Sequence, residues 1–144
     1  MTKLAQKTDL SPEEQSKRLD EAKAAHQAKV ETQRLQVIEK QQIKVHDDFT
    51  VTGRLIHGVL FDGKLHYDFK MRMAYAGDTV KLKQDDPYAR TIETYSRTLL
   101  KLGDIPSDQI DFEFLSSNTT DMDIDILYYA DAELVKKRES VMSE

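Results

Sequence analysis

Two arrangements in this sequence have residue types and spacing that could do chemistry. The first is a histidine and a carboxylate. Asp62-Gly63 separates two apolar-rich runs and predicts a two-residue type I′ hairpin turn, because both central positions need positive φ. Counting back from that turn, Phe61 faces Lys64, Leu60 faces Leu65, Val59 faces His66, Gly58 faces Tyr67, His57 faces Asp68 and Ile56 faces Phe69. A carboxylate opposite an imidazole can orient it as a general base. No nucleophile stands nearby, so His57 and Asp68 read more simply as a cross-strand polar pair. The second is Asp121-Met122-Asp123-Ile124-Asp125, which opens like a calcium loop. Its sixth position is Ile126 where glycine must turn the chain, and its twelfth is Ala132 where a bidentate glutamate is needed. Three acids at that point read instead as a helix start matched to the positive end of the helix dipole.

The remaining inventory is sparse. His57 and His66 lack a third ligand at metal-binding spacing, and His26 and His46 sit in polar surroundings. With no cysteine there is neither a disulfide nor a thiolate zinc site. Five glycines leave no phosphate-cradling loop, and no serine-nucleophile elbow is present. The sequence therefore predicts no catalytic, cofactor-binding or metal-ligating residue. The formal net charge of −5 argues against a phosphate-backbone binder, whose affinity rests on clustered Lys and Arg. No apolar run of membrane-spanning length occurs, and Met1 to Gln6 carry no apolar signal stretch, which fits a cytoplasmic chain.

The elements that must position these residues fall into two regions. Residues 1–48 hold nine basic and nine acidic side chains, while residues 49–144 hold twelve and seventeen, so the whole net charge lies in the second region. From Ser11 to Lys44 there is neither glycine nor aromatic residue, and Ala, Gln, Lys and Glu abound, which predicts a helix. Ser11 is its N-cap, Pro12 its first residue, and Glu13 and Glu14 suit its positive end. Its stripes are thin and mostly small: Ala24, Ala28, Leu35 and Ile38, or Leu19, Ala22, Val30 and Val37. Such a segment is either a solvated, partly frayed arm or one that orders against a partner helix or its own copy. The hairpin's predicted core side collects Ile56, Leu60, Leu65, Tyr67, Phe69 and Met71. Thr79 to Lys83 alternates as a third strand would, and reads equally as irregular chain. Asp86 and Pro87 start a helix that buries Tyr88, Ala89, Ile92, Tyr95, Leu99 and Leu102 and stops at Gly103. A short helical piece follows from Asp111 to Leu115. A last helix runs from Asp121 to about Arg138 over Met122, Ile126, Leu127, Ala130 and Leu134, with a mobile tail at 139–144. The fold class is α+β: a polar helical arm (1–48), then a small α+β domain (49–138) in which two to three helices pack on the hairpin.

The order of these parts resembles the small tail assembly chaperones of long-tailed bacteriophages and prophages. The resemblance is carried by Phe69-Lys70-Met71-Arg72-Met73-Ala74-Tyr75-Ala76-Gly77-Asp78, by Leu99-Leu100-Lys101-Leu102-Gly103-Asp104-Ile105-Pro106, and by Ile110 to Leu115 leading to Asp121 and Asp125. It spans residues 49–138. The chain departs from the family in its additional N-terminal arm and in a strand end, Lys-Met-Arg-Met, less basic than the family's. The resemblance implies a non-catalytic protein that binds the long helical tape measure protein and keeps it from aggregating while tail tube subunits gather around it. The expected client surface is Leu35, Val37, Ile38 and Ile43 of the arm with Val59 and Phe61 on the hairpin's outer face. The competing expectation is a structural adaptor retained in the assembled particle.

Overall fold

The computed structural model describes residues 11–142. The Ser11 hydroxyl accepts the Glu14 N–H at 3.2 Å and starts helix α1, Pro12–Lys40. Strands β1 (Lys44–Val45), β2 (Thr50–Phe61) and β3 (Lys64–Arg72) follow, then helices α2 (Ala76–Val80) and α3 (Pro87–Thr98) and strand β4 (Leu99–Leu102). A 3-10 turn, Ser107–Gln109, leads to helices α4 (Phe112–Asn118) and α5 (Asp121–Met142). The four strands form one antiparallel sheet in the order β1-β2-β3-β4. The α+β class and the order of helical arm, hairpin and C-terminal helices are as the sequence predicts.

The chain divides into two compact units, one holding α1 up to Leu35 and the other beginning at Gln36. No residue of α1 is buried. The domain thus starts earlier than the expected residue 49. Gln41 and Ile43 are buried, Val37, Ile38 and Val45 pack against the core, and the Gln41 carbonyl accepts the Arg54 N–H at 2.8 Å. In the second unit α5 lies on one face of the sheet. Its Ile124, Ile126, Leu127, Ala130 and Leu134 join Val51, Leu55, Phe69, Met71 and Leu102 in a single core with Ile92 and Tyr95 of α3.

Several elements differ from the sequence expectations. The α3 helix ends at Thr98, where Leu99 turns extended (φ −67, ψ 116), and Leu99 to Leu102 become the fourth strand. The open edge of β3 accepts them, setting Leu102 opposite Phe69 and Leu99 opposite Met71, so both leucines are buried through the sheet rather than the helix. Gly103 has its positive φ of 54, but it turns the chain after a strand, and a Cβ there would overlap the His66 ring. The segment Thr79 to Lys83 holds the end of α2 and a turn, not a strand. In α5 the buried stripe includes Ile124 in place of Met122, which is exposed, and the helix continues through residues 139–142.

Candidate protein-interaction surfaces

The turn at Asp62-Gly63 forms with both φ values positive, at 55 and 74, and the first three pairs match the expected register. Beyond Val59 it shifts. Arg54, not His57, faces Asp68, and Gly53, not Ile56, faces Phe69, so Leu55 to Gly58 stand opposite the single Tyr67. Gly58 (φ 82) supplies a backbone conformation that a side chain resists, and a Cβ there would crowd the Tyr67 ring at 3.0 Å and the His66 carbonyl at 3.1 Å. The bulge re-aims three successive amides at one carboxylate. Asp123 accepts the N–H of Ile56 (2.6 Å), His57 (3.1 Å) and Gly58 (3.0 Å) and is 0% exposed. The second member of the would-be calcium triad is therefore a staple between α5 and β2. Among the described residues no group of three or more His, Asp or Glu could hold a metal ion.

The histidine–carboxylate pair is not brought together. Asp68 meets the Arg54 guanidinium at 3.2 Å, and Arg54 also stacks over the Tyr67 ring at 4.6 Å. The His57 Nδ1 lies 2.9 Å from the Thr120 hydroxyl, which also accepts the Asp123 N–H as the cap of α5. His66 is buried, and its Nδ1 accepts the Asp104 N–H at 3.1 Å.

The bulge also reverses which apolar residues show. Val59, expected outside, is fully buried, and Phe61 is half-buried against the rings of His66 and Phe114. Leu60 (55% exposed), Leu65 (46%) and Ile56 (40%), expected inside, face solvent, with Leu60 and Leu65 directly opposed. On the arm Leu35 is exposed, whereas Ile43 is a core residue and Val37 and Ile38 are partly covered. Ile43 and Val59 thus leave the expected client surface because the core occupies them. The missed signal was Gly58, an isolated glycine within a strand pattern, which is the usual mark of a bulge.

Beneath α2 a charged cluster holds the end of β3. Asp78 accepts two bonds from Arg72 (2.8 and 3.0 Å), one from the Tyr75 N–H (2.8 Å) and one from Arg97 (3.3 Å). The Arg72 bonds first, and the Tyr75 amide second, hold its carboxyl far below the usual range. Burial pushes the Asp131 carboxyl up, and it also raises the Tyr95 hydroxyl beside Asp131. No described helix is long and apolar enough to cross a membrane. No family model, curated protein or solved structure matches the chain.

Proposed function

We propose that this chain is a non-catalytic protein-binding factor of the tail assembly chaperone kind. In this reading it works in the host-cell cytoplasm and keeps a tape measure protein from aggregating until tail tube subunits surround it. The observation that carries the reading is α1, a helix of 29 residues none of which is buried. In water most helical stability comes from packing an apolar face, so a long helix of which only Val37 and Ile38, near its C-terminal end, meet the core is suited to taking up a partner. Leu19, Val30 and Leu35 are its exposed large apolar side chains. The outward Leu60–Leu65 pair offers a second apolar contact. The placement of His57 against Thr120 and of Asp68 against Arg54 supports the non-catalytic part, since the sequence offers no other base pair.

Co-expression with a tape measure protein from the same genome tests the proposal. The chain should raise the soluble fraction of the tape measure and co-purify with it. Replacing Leu19, Val30 and Leu35 by aspartate should abolish co-purification. Those side chains are exposed, so the unfolding midpoint of the domain should move by no more than about 0.5 kcal/mol equivalent. No rise in soluble tape measure from a folded chain would defeat the proposal. Finding the chain in purified mature particles would favour the structural adaptor instead.

A further inference from the structure

The register places an unusual set of residues on the face of the sheet that α5 leaves open. Lys44 pairs with Thr52, Thr52 with Lys70, and Lys70 with Lys101, so one cross-strand row runs over all four strands. Directly opposed residues share a face. The rows on either side of it, Val45–Val51–Met71–Leu99 and Gly53–Phe69–Leu102, point the other way, into the core beneath α5. Among the described residues none of the three lysines has an ion-pair partner. The Asp48 carboxylate feels the charge of Lys70, but it is engaged by the Thr50 hydroxyl at 2.6 Å. Asp68 is taken by Arg54. Like charges directly opposite in a sheet are destabilising, so the Lys70–Lys101 pair is a repulsion that only the Asp48 carboxylate, near Lys70, offsets in part. Thr52, Asp68, Lys70, Lys101 and Gln42 rim a depression of about 440 Å³ there.

The opposite side of the same domain has the opposite character. The outward stripe of α5 presents Asp121, Asp125 and Tyr128, with Met122 beside them, all exposed. Tyr88 of α3 lies close enough to Asp121 and Asp125 to feel both charges. Neither aspartate has an ion-pair partner among the described residues. The two sets also match in spacing. Lys70 and Lys101 lie one strand apart, about 4.8 Å. Asp121 and Asp125 lie one helical turn apart, about 6 Å.

We infer that the domain associates with a second copy of itself head to tail, the Lys44–Lys70–Lys101 face of one copy docking on the Asp121–Asp125–Tyr128 stripe of the next. The two surfaces lie on opposite faces, so the contact is heterologous and extends into rings or short stacks rather than closing as a two-fold dimer. Exposed Tyr88, Met122 and Tyr128 supply the apolar contact that a purely ionic match would lack. This contact uses neither α1 nor the Leu60–Leu65 pair, so it stands whether or not the chain binds a client.

Sedimentation velocity of the full chain, over a wide concentration range at about 50 mM and about 500 mM salt, tests this. The weight-average sedimentation coefficient should climb with concentration at low salt and fall to the monomer value at high salt. Lys70→Glu with Lys101→Glu, and separately Asp121→Lys with Asp125→Lys, should each give a chain that stays monomeric. Mixing the two variants should restore association, because the acidic stripe of the first meets the basic sheet of the second. All four positions are solvent-accessible, and circular dichroism verifies the fold; a variant that loses it is replaced by single Lys101→Ser or Asp125→Asn, each weakening association about tenfold. A wild-type chain that stays monomeric at low salt overturns the inference. So does association that survives both reversals, or a mixture of folded variants that stays monomeric.

Discussion

Asp78 shows how much one carboxylate can organise when every oxygen lone pair has a donor. It fixes the β3 exit through Arg72, the first turn of α2 through the Tyr75 amide, and α3 through Arg97. Because its folded pKa is depressed, the stability it contributes is fully present above the unfolded value of 3.8 and is lost as pH falls from there through the folded value. Asp48, lowered by the Thr50 hydroxyl, and Glu93, lowered by the Gln84 and Lys83 amides, share that sign. Asp131 has the reverse sign: burial raises its folded pKa, so its neutral form favours the fold below 3.8, and that contribution fades as pH rises. Asp78→Asn should therefore cost about 2 kcal/mol at neutral pH, at the low end for a broken ion pair because Arg72 and Arg97 are 30% and 32% exposed. In urea titrations between about pH 7 and pH 2 the gap between variant and wild type should hold down to about pH 4 and then narrow progressively toward pH 2. A gap that stays constant across that range would mean Asp78 acts through packing alone.

At the scale of the element, the β2 bulge decides which half of the hairpin faces the core. Its residues were legible only in part. Turn chemistry gave the first three pairs, because Asp-Gly imposes a local geometry that needs nothing else. The alternation beyond them depends on Asp123, more than sixty residues away in sequence, and no local pattern encodes a three-amide cradle for a distant side chain. The same holds for β4: Leu99 and Leu102, three apart, satisfy a helical period, and they share the buried face of the sheet only because the register against β3 shifts at Leu100, which no local pattern announces. By contrast α1, α5 and the caps at Ser11 and Asp86 were legible because they are local chemistry. If Asp123 and Gly58 make one device, their mutations should couple. Asp123→Asn leaves buried amides poorly matched and should cost about 2–3 kcal/mol. Gly58→Ala strains a positive φ against the Tyr67 ring and should cost about 1–2 kcal/mol. The double variant should cost less than the sum, measured by denaturant unfolding, because either change already releases the bulge. Strict additivity would show that the cradle and the glycine act independently.

For the whole molecule, the division at Leu35 and Gln36 separates stability from recruitment. Among the described residues every buried one lies at or after Gln41, in the second unit, while α1 up to Leu35 has none. A chain beginning at Gln36 retains Val37, Ile38, Gln41 and Ile43, the residues that tie the end of α1 to the core. Its thermal midpoint should therefore stay within about 2 °C of the full chain, since a loss of well under 1 kcal/mol moves a domain of this size no further. In the full chain, amides from Glu13 to Leu35 should exchange with solvent more than about a thousandfold faster than those of the core strands, because none of these residues is buried. Tape measure binding, by contrast, should disappear with α1, whereas salt-dependent head-to-tail association should persist, since the sheet face and the α5 stripe both remain. The three readouts part the alternatives cleanly. A large drop in midpoint would mean that α1 packs on the domain in solution, and client binding that survives the truncation would move recognition to the Leu60–Leu65 pair.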